Sequence, residues 1–252
     1  KRGEKFSISH DELTGTGSSI KFLRRTITEV EDGSVFSPGT KVSKVVQAFE
    51  EAFGAARAQK IPCDSSIQLP DTSQKLDQRD SSSYRSIVGL CLHIGRERPD
   101  LMFAIKELSA AMSSPTLSSL QHLRKLVGYM KHVGDVGIHV GFPAAGQGTM
   151  SAGGDHTWVL ETFSDADWST NKTNRRSTSC SVHMLTNNMV FASSRSQKVV
   201  PLSSCESELH SLVSAACDGI FIRSCTEFVL GEEIQHLLYT DSSSARQLAS
   251  RQ

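Results

Sequence analysis

The sequence predicts an α/β chain in which a mostly helical region precedes a mixed sheet with flanking helices. Three observations carry this. Between Val42 and Val133 apolar residues recur at helical spacing; from Trp158 they change to short runs separated by turn residues; and a long helical pattern then leads to one more strand, Leu237-Leu238-Tyr239-Thr240. A chain of 252 residues buries a full core without disulfide or metal staples.

Composition narrows the function. Lys and Arg number 27, as do Asp and Glu, so the formal charge is zero. A free-standing nucleic-acid binder would carry a basic surplus, although a basic face fits within a neutral total. No window approaches 18 consecutive apolar residues, and polar sequence follows Lys1-Arg2-Gly3-Glu4-Lys5, so no membrane span or secretory signal is expected. The absence of an initial Met suggests a cut from a longer chain. The six cysteines, Cys63, Cys91, Cys180, Cys205, Cys217 and Cys225, lack zinc-site spacing and are expected to be reduced in an intracellular protein.

Taken in order, Ile20–Leu23 and Ile27–Val30 read as strands, and Glu31-Asp32-Gly33-Ser34 turns the chain into Val35-Phe36. Val42, Val45, Val46, Phe49 and Phe53 define an amphipathic helix that Gly54 ends. From Ile61 to Ser83 the chain is polar and aperiodic, an extended connector. Helical patterns fill Ser83–Val133, and Pro99 and Pro115 read as helix starts, where a missing N–H has no intrahelical partner to lose. Leu120, Leu123, Val127 and Met130 form the stripe after Pro115, and Gly134 stops it. The Gly/Ala-rich run from Gly141 to Gly154 reads as a flexible boundary.

Beyond it, Trp158–Phe163, Ser179–Leu185, Met189–Ala192 and Val199-Val200 read as an antiparallel meander. Ser203-Ser204-Cys205-Glu206 fits a capping box opening a long helix with Leu209, Leu212, Val213, Ala216 and Ile220 in its stripe. After the strand ending at Thr240, Ser242–Gln252 begins another helix.

Two strands thus end in carboxylates, Asp165 and Asp241, and Glu208 sits near the start of the helix between them. If those strands are parallel neighbours, as right-handed crossovers favour, three carboxylates converge. Such a cluster repels itself unless a hard cation with oxygen ligands neutralises it. Each residue also has a plainer role. A lone Asp-x-Asp is commonly a turn, which suits Asp167; Glu206 fits the cap; Glu208 could be a first-turn residue favoured by the helix dipole. Arg175, Arg176, Arg195 and Lys198 help give Phe163–Val200 five positive against two negative charges, a local surplus suited to a duplex backbone.

The runs Tyr84-Arg85-Ser86-Ile87-Val88-Gly89, Arg98-Pro99-Asp100-Leu101-Met102-Phe103-Ala104, Phe163-Ser164-Asp165-Ala166-Asp167-Trp168, Arg176-Ser177-Thr178-Ser179, Ser194-Arg195-Ser196-Gln197-Lys198 and Leu202-Ser203-Ser204-Cys205-Glu206-Ser207-Glu208 occur in one order across most of the chain. In that order they closely resemble the Pol polyprotein of copia-type long-terminal-repeat retrotransposons. The resemblance implies the end of a reverse transcriptase at 1–60, a connector and helical connection region at 61–150, and an incomplete ribonuclease H-like domain at 151–252. It further implies that Asp165, Glu208 and Asp241 hold two Mg²⁺ ions, with Mn²⁺ able to substitute, and hydrolyse RNA in an RNA–DNA hybrid. The implied partners are that hybrid and the reverse transcriptase portion of the polyprotein, in a cytoplasmic retroelement particle or the nucleus.

Departures from the pattern qualify the expectation. The polymerase Tyr-x-Asp-Asp is absent, so the chain is not expected to polymerise. A fifth strand and a helix bearing a fourth carboxylate are missing, Cys205 and His210 replace commoner residues, and three serines follow Asp241. The alternative expectation is an inactive retroelement remnant that at most binds duplex.

Overall fold

A computed structural model describes residues 12–23, 25–141 and 158–250, which form two four-stranded sheets and six α-helices. The hairpin expected near the N-terminus is present as β1 (Ser19–Phe22), β2 (Arg25–Val30) and β3 (Gly33–Ser37), paired antiparallel. A fourth strand, β4 (Ile138–Gly141), pairs with β3 from about a hundred residues away. Its short Ile-His-Val-Gly run ends in the stretch expected to be a boundary, which hid it. A Cβ on Gly33 would come within 2.1 Å of the Val140 carbonyl oxygen, so the close approach of β4 requires glycine there.

Helix α1 (Lys41–Phe53) buries Val42, Val45 and Phe49 and ends at Gly54. Helix α2 (Gln78–Ile94) starts inside the expected connector, because Asp77 caps it by accepting from the Asp80 amide at 2.8 Å. Pro99 opens α3 (Pro99–Ala110) as expected. Pro115 lies one residue before the cap of α4 (Leu117–Val133), where Thr116 and Ser119 form a reciprocal capping box. Phe49, Tyr84, Leu101, Leu108, Leu123, Leu126 and Met130 pack into one core, so helices on both sides of residue 60 share it.

The second sheet contains β5 (Val159–Asp167), β6 (Thr178–Leu185), β7 (Asn188–Ser196) and β8 (Gln235–Thr240) in the order β7-β6-β5-β8. The meander is antiparallel and β8 lies parallel to β5. One strand assignment is corrected. The two short runs at Met189–Ala192 and Val199-Val200 are not separate strands: β7 continues to Ser196, and Val199 and Val200 lie outside it, each about half exposed. Serines sustain the extension, Ser181 and Ser193 sharing a hydrogen bond of 2.8 Å across the ladder.

Helix α5 (Ser204–Leu230) crosses from β7 to β8 and covers β5 with Ser207, Ser211, Leu212, Ala215 and Gly219; α6 (Ser243–Ala249) follows β8. A Cβ at Gly219 would meet the His236 ring at 2.5 Å and Thr162 Oγ1 at 2.9 Å, so glycine lets the helix lie directly on these two strands. The Lys106 ammonium of α3 donates to Thr178 Oγ1 at 2.7 Å, and the Gly141 amide of β4 donates to Asn188 Oδ1 at 2.8 Å, joining the helical unit and the first sheet to the second sheet. The flexible boundary expected at Gly141–Gly154 falls, after Gly141, outside the described residues. Among the described residues no helix is long and apolar enough to cross a membrane.

Candidate metal centre

The carboxylates come together through strand register and one helix cap. In the parallel ladder Phe163 pairs with Tyr239 and Ser164 with Thr240, so one step further Asp165 and Asp241 come side by side. Ser203 starts α5 by accepting from the Glu206 amide at 3.1 Å. Glu206 does not complete the reciprocal box, since its Oε2 accepts instead from the Leu202 amide at 2.7 Å. Glu208 follows within the first turns of the helix. Ligand oxygens of Asp165, Glu208 and Asp241 all lie within 4.8 Å of one another.

The environment is asymmetric. Asp165 and Asp241 are exposed and Glu208 is half-buried. Burial, reinforced by the negative charges of Asp165 and Asp241, pushes the Glu208 carboxyl up to about 6, while the Ala166 amide pulls the other way. Glu208 Oε2 is buried without a hydrogen-bond partner. Three carboxylates whose oxygens lie this close, one of them with an unpartnered buried oxygen, form an oxygen-only donor set of the kind hard divalent cations use, so the residues fit such an ion.

Neighbouring acids are otherwise engaged. Asp167 accepts from the Thr170 hydroxyl at 2.5 Å as a turn former, and Glu206 lies at the helix cap. Arg175 and Arg176 are exposed in the turn between β5 and β6, and Lys198 is exposed just beyond β7. Arg195 is committed elsewhere: its guanidinium binds Asp218 of α5 at 2.8 Å and lies 5.9 Å from the Phe191 ring. The four basic residues are therefore not equivalent. Near the start of α5 the residues Ser164, Gln197, Ser207 and Ser211 are buried and polar; the first three lie in the quoted runs without having been assigned a role, and Ser211 lies outside them. The available signal was Ser211, a polar residue one helical turn beyond Glu208 on a face that packs inward.

The chain is 30% identical over 172 residues to the retrovirus-related Pol polyprotein from transposon RE1 of Arabidopsis thaliana, covering 68% of this chain and 11% of that protein. It is also 30% identical over 198 residues to the corresponding polyprotein from transposon RE2 of the same plant, covering 77% of this chain and 12% of that protein. The chain thus spans about a tenth of the length of these two relatives. A secreted RxLR effector protein of Plasmopara viticola is 31% identical over 140 residues, 55% of this chain and 90% of the effector. No protein-family model matches the chain, and no solved structure matches it. With homologous polyproteins aligned over more than two thirds of its length, the chain is a retrotransposon Pol-related protein.

Proposed function

We propose that this chain carries a ribonuclease H-type nuclease site that hydrolyses the RNA strand of an RNA–DNA hybrid as part of a retrotransposon polyprotein. The observation that supports it most is the convergence of Asp165, Glu208 and Asp241 at one edge of the second sheet. Asp165, Glu208 and Asp241 would hold Mg²⁺, with Mn²⁺ able to substitute. Bound there, such cations supply charge neutralisation at the attacked phosphate and a water acidic enough to attack it. The chain's own residues do the positioning. Asp165 and Asp241 lie open to solvent where a duplex backbone reaches them, and Glu208 closes the site from the helix side. Arg175, Arg176 and Lys198 supply sequence-independent contacts to phosphates. Recognition of a hybrid rests on backbone shape and the RNA 2′-hydroxyls.

The partners follow from this reading: an RNA–DNA hybrid and the reverse transcriptase portion of the same polyprotein, in a cytoplasmic particle or the nucleus. The test is a substrate panel in Mg²⁺. Labelled RNA–DNA hybrid, RNA duplex and DNA duplex are incubated with the chain, and release of fragments from the hybrid's RNA strand alone is expected. Equal degradation of all three, or of none by folded protein, contradicts the proposal.

A further inference from the structure

Four buried polar residues, Ser164, Gln197, Ser207 and Ser211, lie between the first turns of α5 and the second sheet, where an apolar contact would be the ordinary solution. Ser211, one turn along α5 from Glu208, is 1% exposed, and its hydroxyl donates to the Asp165 carbonyl oxygen at 2.6 Å. The same Ser211 oxygen accepts from the Ser164 hydroxyl at 3.0 Å and lies 3.4 Å from the carbonyl oxygen of Cys180, the partner of Asp165 on β6. On the other side of Glu208, the Gln197 side-chain amide donates to the Ser207 carbonyl oxygen at 2.8 Å and to Ser179 Oγ at 2.9 Å. Gln197 is itself 7% exposed, and its backbone amide donates to the Ser177 carbonyl at 2.8 Å.

The residues flanking the carboxylates are therefore tied to one another. Residue 207 is bound through Gln197 to β6, and residue 211 is bound to the backbone of Asp165 itself. Hydrogen bonds are directional and short, whereas an apolar contact tolerates sliding, so these two ties fix how far α5 stands from β5 at this end of the helix. Further along, the helix lies on the strands through Ala215 and Gly219.

We infer that Ser211 and Gln197 are positioning residues that hold Glu208 at cation-binding distance from Asp165, by tying the first turns of α5 to the backbone of β5 and to β6. The inference rests on the reading of the three carboxylates as a cation site. It concerns residues that do not themselves offer an oxygen to the ion. Outer hydrogen bonds of this kind typically change metal affinity by 10- to 100-fold.

The test is Mn²⁺ binding to the full chain, followed by calorimetry and by the electron paramagnetic resonance of bound Mn²⁺, with a metal-free thermal melt of each variant. Ser211→Ala and Gln197→Leu are expected to weaken Mn²⁺ binding about tenfold or more. Ser164→Ala leaves the Ser211–Asp165 bond in place and is expected to bind nearly as wild type. Thr162→Val, under the same helix but away from these ties, separates destabilisation from positioning: it should lower the melting temperature and leave Mn²⁺ affinity unchanged. Should Ser211→Ala fail to fold, Ser211→Cys preserves size with a weaker donor and serves in its place. Wild-type affinity in a folded Ser211 variant and in Gln197→Leu overturns the inference while leaving the cation site standing. A wild-type chain that binds no Mn²⁺ overturns both, and that result is visible before any variant is made.

Discussion

Asp165 and Asp241 stand side by side because β5 and β8 run parallel in a single register, one residue beyond the Ser164–Thr240 pair. Their separation in sequence is large, yet the last ladder pair, Ser164 and Thr240, delivers both to the same sheet edge. With Glu208 approaching from α5, the metal-free site holds like charges close together.

That crowding has a consequence for stability. Glu208 titrates near 6 in the folded chain against an ordinary value of 4.5. Because the folded value is raised, the folded chain binds the proton more tightly; the associated stability is complete below pH 4.5 and is lost as pH rises through about 6. Glu208→Gln should therefore raise metal-free stability at neutral pH, by roughly 1 kcal/mol after allowance for screening by water. Urea titration of both chains at pH 4 and pH 7.5 checks it, with the difference confined to the higher pH.

A second acid-sensitive element lies under the middle of α5. Thr162 Oγ1 is 2.9 Å from His183 Nδ1 and 2.9 Å from His236 Nε2, and burial lowers both imidazoles below their ordinary range. Lowered values mean that the unfolded chain binds these protons more readily, so this contribution is present above about 6.5 and is lost as pH falls below it. Thr162→Val leaves both ring nitrogens without this partner and should cost about 1–3 kcal/mol at pH 7.5 by chemical denaturation.

Arg98 makes a comparable demand on the helical unit. Its guanidinium is 2% exposed, binds Asp100 through two nitrogens at 2.9 and 2.7 Å, and donates to the Gly134 carbonyl at 2.9 Å. Lysine cannot reproduce that fork, so Arg98→Lys should destabilise the chain by about 2–3 kcal/mol, measured by equilibrium unfolding.

The basic residues should separate by their ion pairs. Replacing Arg175 and Arg176 with alanine should weaken binding to a non-cleaved hybrid and reduce the salt dependence of log Kd by about 1–2. Arg195→Ala should change that slope little, because its charge is already spent on Asp218. Fluorescence anisotropy across a salt series distinguishes the two variants.

The sequence was most legible where local chemistry and periodicity agreed. The cap at Ser203, the proline at Pro99 and the alternation through Ser179–Leu185 each have a local physical cause, and the structure carries all three. The three carboxylates were legible because Asp165 lies near the C-terminal end of β5, Asp241 directly follows β8 and Glu208 lies near the start of α5, where topology brings them together. What stayed hidden depended on distant partners. Strand β4 is only four residues long and exists through its pairing with β3. The polar end of β7 is held in the sheet by serine pairing that hydrophobic patterning does not register. Ser211 lies in none of the six runs and Gln197 is one unremarked residue within its run, and the role of each is set by groups on other elements. Arg195 looked like its basic neighbours until Asp218 was placed opposite it.

The nuclease site is tested most simply by cleavage of the labelled RNA strand of an RNA–DNA hybrid in Mg²⁺ by the wild-type chain, Asp165→Asn and Asp241→Asn, with a chelator control and folding verified by circular dichroism. Cleavage by the wild type alone is expected, lost in the chelator and in both folded variants. Cleavage that persists in either variant, or its absence from folded wild-type protein, would contradict the proposed nuclease site.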